Sequence, residues 1–186
     1  AAWKAERARA SERAAKIYRS QRKAPAARRT NKHSKARRRG RTWKRIASLR
    51  MIPPREKANR VVVLKSERKL VLMRGDRVLK VYRVALGRYA EGAKRRQGDA
   101  KTPEGAYVLD YKLSKSSFYK ALHISYPNAQ DIARVRSVGA DPGGKIMIHG
   151  IANDWTANEI GHPRLDWTQG CIAVDNHEMD EIIAMV

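Results

Sequence analysis

Charge divides this chain in two, and only one part has the side chains to fold around a core. Residues 1 to 60 carry 22 Lys and Arg against 3 acidic residues, whereas residues 61 to 186 carry 19 against 15. The formal excess of +23 is therefore almost wholly an N-terminal property. In the first 50 residues Ala, Arg and Lys dominate, as in Arg37-Arg38-Arg39 and Lys44-Arg45, with only scattered apolar side chains. Such a segment buries too little to offset its conformational entropy. Residues 4 to 20 have a helix-forming composition, but Pro25 and Gly40 break any longer helix and like charges repel along the segment. Residues 1–58 are expected to be a basic arm, disordered or partly helical, drawn to anionic lipid, cell-wall polyanion or nucleic acid; charge alone does not choose among them.

Residues 59–186 form an ordinary, nearly balanced stretch of roughly 125 residues, a common size for one core. No run approaches the ~18 apolar residues of a membrane-spanning helix. The N-terminus shows neither an apolar signal core nor an initiator Met, so the chain is expected to be a mature or cut-down fragment. A single cysteine excludes an internal disulfide and leaves the redox compartment unread.

Past Pro53-Pro54 the texture becomes that of strands: Val61 to Leu64, Leu70 to Met73 and Val78 to Leu86, with Gly75-Asp76 suited to a hairpin turn between the last two. Further strands are expected at Ala106 to Tyr111, Ala121 to Tyr126, Ile146 to His149 and Cys171 to Val174. Asn128 to Val138 and His177 to Met185 have the spacing of amphipathic helices, the second following Asn176 as its cap. A mostly β domain with a few short helices follows. The Gly98 to Gly105 loop lacks the Gly-Lys-Ser/Thr ending of a nucleotide-binding loop, which argues against nucleotide chemistry.

The lone Cys171 stands in Thr168-Gln169-Gly170-Cys171, with His149-Gly150 upstream at the end of an apolar run. A free thiol of pKa near 8.5 is only a few per cent thiolate at neutrality, so a nucleophilic cysteine needs a base or cation beside it, and histidine titrates in the right range. A close imidazolium would lower the thiol pKa. Gly170 leaves room beside the sulfur for a carbonyl, and backbone N–H groups at Gly170 and Cys171 are candidate oxyanion donors. No metal or other cofactor is required. Trp155, His162, Pro163 and Trp167, between the two motifs, either form a lid over the thiol or clamp the domain core. His123 and His162 read as histidines without a catalytic role.

These residues resemble the L,D-transpeptidase catalytic domain, the YkuD type. Its signature is a His, one residue, about 14 to 17 more, then Ser/Thr-His-Gly-Cys and an Asn shortly after. Here His149-Gly150 is followed by 17 residues, then Thr168 to Cys171, with Asn176 in the closing position. The resemblance covers roughly residues 60 to 186 and implies a β-sandwich. It implies that Cys171 is acylated by peptidoglycan peptide stems, that His149 is the base, and that a backbone carbonyl at Gly150 orients it; Asp154 or Asp166 are alternative orienting groups. Gly170, Gln169, Thr168, Trp155 and Trp167 are the candidate oxyanion and substrate-binding residues. Two positions depart from the pattern. Gln169 stands where a second histidine is usual and cannot relay a proton near neutrality. Ala173 stands where many members carry an arginine, so substrate carboxylate binding is expected to differ.

The resemblance further implies work in the periplasm or cell envelope, and the apolar ending Met185-Val186, where members add another strand, implies truncation at the C-terminus. A monomer is expected, with nucleic acid disfavoured as a partner because the excess charge lies outside the domain. Two other functions compete: hydrolysis of the same acyl-enzyme, as an L,D-carboxypeptidase or amidase, and noncatalytic polyanion or nucleic-acid binding through the arm.

Overall fold

The structure, a computed structural model, describes residues 12–13, 15–20 and 56–186. Strands β1 (Arg60–Leu64), β2 (Lys69–Arg74) and β3 (Arg77–Arg83) pair antiparallel in that order. The turn between β2 and β3 places Gly75 at φ +58°, a left-handed conformation glycine adopts without a Cβ clash. β2 is dry on both faces, which explains its unbroken apolar run. Leu70 and Leu72 point into the main core, while Val71 and Met73 point the other way, into a smaller cluster.

Strands β4 (Leu109–Ser116), β5 (Tyr119–Ile124), β6 (Met147–His149) and β7 (Ile172–Ala173) form the second sheet in that order. β4, β5 and β6 pair antiparallel, and β6 and β7 pair parallel. The main core lies between the sheets: Leu70, Leu72 and Tyr82 from one meet Leu122, Ile124, Ile148 and Ile172 from the other. Bridges from Ala85 to Ala173 and from Gly87 to Thr168 tie the chain beyond β3 to the β7 region. The domain is a mostly β sandwich with a few short helices.

Helix α1 (Ala129–Arg136) starts where Asn128 accepts the N–H groups of Gln130 and Asp131 through its side chain. Helix α2 (Asn176–Met185) inserts Met179, Ile182 and Met185 into the main core. At its far end Lys57 Nζ donates to Ala184 O at 2.6 Å and Lys112 Nζ to Ile183 O and Val186 O at 3.1 and 3.2 Å. These ammonium groups satisfy carbonyls that a helix end leaves unpaired and complement its negative pole.

Three elements differ from the sequence expectation. The strand expected at Ala106 to Tyr111 begins at Leu109 and runs on to Ser116. Lys112-Leu113-Ser114-Lys115-Ser116 shows little apolar alternation because β4 is an edge strand with most side chains in solvent. The cap of α2 is Asp175, one residue earlier than Asn176. Asn176 instead turns its side chain toward β6. Finally, residues 12–13 and 15–20 are helical and Tyr18 is buried against Val62, Val71 and Met73 on the outer face of the first sheet. Arg13 pairs with Asp76 and Arg19 with Glu67, both at 2.8 Å. That part of the basic arm is helical, as its composition suggested, and packs on the domain through Tyr18 while its charged side chains stay in solvent. The rest of the arm expected over 1–58, apart from residues 56–58, lies outside the described residues. Among the described residues no helix is long and apolar enough to cross a membrane.

Candidate functional site

β6 delivers the histidine and the residues just before β7 deliver the thiol. In the parallel register His149 lies opposite Ala173 and Ile148 opposite Ile172, so adjacent strands bring the histidine and the thiol just ahead of β7 to one side of the sheet. Both line one cavity of about 930 Å³. Thr168, Gln169, Trp155 and Trp167 also line it, together with Arg88, Phe118, Lys145 and Met147. Gly150 and Gly170 lie next in sequence to His149 and Cys171 and contribute backbone.

His149 is buried, 3% exposed, with its Nδ1 2.6 Å from the carbonyl oxygen of Gly150. In that short contact Nδ1–H donates to the carbonyl, which leaves Nε2 as the basic nitrogen. Phe118 packs 4.5 Å away, centroid to centroid, and Trp167 presents an edge at 5.7 Å. Gly150 must be glycine: a Cβ there would meet Asn176 Oδ1 at 2.5 Å and Tyr119 Cβ at 3.0 Å. The same Asn176 Oδ1 accepts the N–H of Ile151 at 2.8 Å, so the closing Asn braces the turn that aims the imidazole. Asp154 and Asp166 do not orient it. Asp166 pairs with Arg68 at 2.7 Å and accepts the Leu86 N–H, and Asp154 has no contact with His149 among the described residues.

Burial sets the resting protonation of the pair. Desolvation pulls the His149 pKa down to about 4, against the upward pull of the Gly150 carbonyl, so the ring is neutral at pH 7. Desolvation also pushes the Cys171 thiol up, opposed by a backbone hydrogen bond from Met147 and the charge of Lys94. The expectation of a thiol lowered by a neighbouring imidazolium is therefore corrected: both partners rest neutral. In that state the Cys171 thiol is partly accessible and donates to the Lys145 carbonyl at 3.7 Å. A neutral imidazole is the protonation state in which Nε2 can accept a proton as sulfur attacks.

The turn before the thiol is fixed by Thr168. Its hydroxyl donates to Cys171 O at 2.8 Å and accepts the Gly170 N–H at 3.1 Å. This corrects the assignment of Gly170 as an oxyanion donor, because its N–H is already used. The Cys171 N–H has no partner among the described residues and is the donor left at this turn. Gly170 has φ +129°, and a Cβ there would meet Lys101 O at 2.7 Å. The Gly98–Gly105 loop thus presses directly on the nucleophile's neighbour. It is held by a buried pair, Lys94 to Asp99 at 2.7 Å, in which burial pushes Asp99 up but Lys94 and the N–H groups of Arg95, Lys101 and Arg96 bring it down to about 2.

The two tryptophans divide. Trp155 is 57% exposed at the cavity, whereas Trp167 stacks on Phe118 and donates its indole N–H to His162 Nδ1 at 3.4 Å. One stands exposed at the cavity, and the other chiefly braces the histidine. Phe118, Arg88 and Lys145 escaped the sequence reading. Phe118 reaches His149 because the β4–β5 turn folds over β6, an arrangement that only the register of Ala121 opposite His149 reveals.

A family model described as the L,D-transpeptidase catalytic domain, YkuD, matches residues 58–186. The chain is 37% identical over 97 residues to the Escherichia coli (strain K12) protein named "Putative L,D-transpeptidase YafK", a stretch covering 51% of this chain and 32% of that protein; the Escherichia coli O157:H7 counterpart matches equally. The matched stretch thus spans about a third of the length of these curated relatives. Among solved structures, Bdellovibrio bacteriovorus Bd1075 aligns with a TM-score of 0.46 and 24% identity, covering 70% of this chain and 47% of that one.

Proposed function

Because the chain belongs to the L,D-transpeptidase catalytic-domain family, which matches its residues 58–186, we propose that it is a cysteine acyltransferase acting on peptidoglycan peptide stems in the cell envelope. The observation that carries this reading is the shared cavity of Cys171 and His149, with Nδ1 of the histidine tied to the Gly150 carbonyl at 2.6 Å.

As Cys171 Sγ attacks the stem carbonyl, its proton passes to His149 Nε2. Sulfur and carbon bond, and the carbonyl oxygen takes the negative charge. The Cys171 N–H faces that charge as a preorganised backbone donor. Collapse of the tetrahedral intermediate breaks the C–N bond, and His149 returns the proton to the departing amine. An acceptor amine then attacks the thioester, its proton going to His149 and onward to the sulfur. The Gly150 carbonyl stabilises the transient imidazolium, which burial alone would disfavour.

Incubation with tetrapeptide stems, with and without an acceptor stem, and weighing of the products tests the reading. A cross-linked product that requires both acceptor and Cys171 is expected. Formation of shortened stems alone, unaffected by acceptor, would assign the same acyl-enzyme to hydrolysis; unchanged stems in both arms would remove the proposal.

A further inference from the structure

On its far side the segment between the two catalytic motifs brings a histidine beside two carboxylates that catalysis does not use. His162, Asp175 and Glu178 place one potential ligand atom each within 4.8 Å of one another. His162 comes from the loop ahead of the thiol, while Asp175 caps α2 and Glu178 lies in its first turn, just after the thiol.

Two observations set this group apart from a chance cluster of carboxylates. His162 is only 7% exposed, and its Nε2 is a buried polar atom without a hydrogen-bond partner among the described residues; leaving such an atom unsatisfied is costly. Its other nitrogen is already engaged by Trp167. Independently, neither Asp175 nor Glu178 has a Lys or Arg partner at ion-pair distance among the described residues.

We propose that His162, Asp175 and Glu178 form a divalent transition-metal site, of the zinc type, that clips the loop ahead of Cys171 to the start of α2. A single cation would satisfy the orphaned nitrogen and both carboxylates at once. Imidazole plus carboxylate donors suit zinc, whereas magnesium and calcium take oxygen donors alone. Bonds of about 2.1 Å in a tetrahedron separate donor atoms by about 3.4 Å, close to the 4.8 Å within which the three donor atoms already lie. Glu178 Oε2 accepts the Asp175 N–H at 3.1 Å, and each carboxylate has a second oxygen to offer. Binding through Nε2 puts the imidazole proton on Nδ1, so the Trp167 indole N–H loses its acceptor. Trp167 also edges the His149 ring, which carries the metal's effect to the cavity wall. The site is separate from the thiol–imidazole pair and does not rest on the acyltransferase reading.

The test uses the Cys171→Ala protein, in which the thiol is removed as a competing zinc ligand, stripped with chelator and titrated with Zn²⁺ by calorimetry while tryptophan emission is followed. One zinc per chain is expected, with a change in emission and at least about tenfold tighter binding than Mg²⁺. Adding Glu178→Gln keeps an acceptor for the Asp175 N–H, so the helix start survives, and weakens zinc binding by at least about tenfold; circular dichroism checks that this variant is folded. Absence of zinc binding, equal affinity with Glu178→Gln, or equal response to Mg²⁺ would overturn the proposal.

Discussion

The two sheets solve opposite problems. In the β1–β2–β3 sheet everything that is buried is apolar: Leu70, Leu72, Val71 and Met73 are sealed on both faces, the outer one by Tyr18. In the β4–β5–β6–β7 sheet the strand that contributes Ile148 to the core continues directly into His149, a buried polar ring held at a cavity wall. The first sheet gains stability from dry packing. The second gives some up, because a buried imidazole kept neutral is a group the unfolded chain would protonate more readily. The candidate site sits where the second sheet departs from the pattern of the first.

The largest effect that sharpens this contrast belongs to the dry sheet. Leu72→Ala, at a site with no exposure, is expected to lower unfolding stability by about 2–5 kcal/mol in denaturant titration, without altering acylation chemistry in the molecules that remain folded. A loss below about 1 kcal/mol would mean that this sheet is not the stabilising element.

The second prediction concerns pH. A folded His149 pKa of about 4 lies below the ordinary histidine value of 6.5, so between these values the unfolded chain binds more protons. Stability therefore falls as pH drops from 6.5 toward 4, by up to about 3 kcal/mol in all. His162, also lowered by desolvation, acts in the same direction. Melting curves across this range check it, and His149→Gln should flatten much of the slope. An unchanged slope in that variant would assign the acid sensitivity elsewhere.

Next, Tyr18→Ala removes the ring that seals the outer face of the first sheet and is expected to cost about 1.5–3 kcal/mol. Smallest is Arg19→Ala, which breaks the pair with Glu67; its guanidinium side is largely exposed, so a loss under about 1 kcal/mol is expected. If Arg19→Ala cost more than Tyr18→Ala, charge and not burial would be holding the N-terminal helical residues in place.

Strand identities were legible wherever burial imposed a pattern. Leu70 to Met73 reads as a strand because both faces are dry, and Gly75-Asp76 as a turn because a positive φ was needed. β4 was half hidden because an exposed edge strand leaves no apolar imprint on its residues. The thiol and imidazole were legible from residue type and spacing, as was the Gly150 carbonyl from the family resemblance. Their protonation was not: it depends on how deeply His149 is buried beneath Phe118 and Trp167, which arrive from the β4–β5 turn and from the following loop. The Gly170 N–H looked available because a sequence cannot show that the Thr168 hydroxyl had already taken it. Tyr18 lay within a segment whose charge masked one well-placed ring.

The central claim is that Cys171 is a nucleophile assisted by His149. Intact-protein mass spectrometry after treatment with a carbapenem, an acylating β-lactam, tests it most directly. The wild-type protein is expected to gain the mass of one acyl group, Cys171→Ala to gain nothing, and His149→Gln to acylate about 10²–10⁴-fold more slowly. An adduct on the Cys171→Ala protein, or an undiminished rate in His149→Gln, would contradict the account.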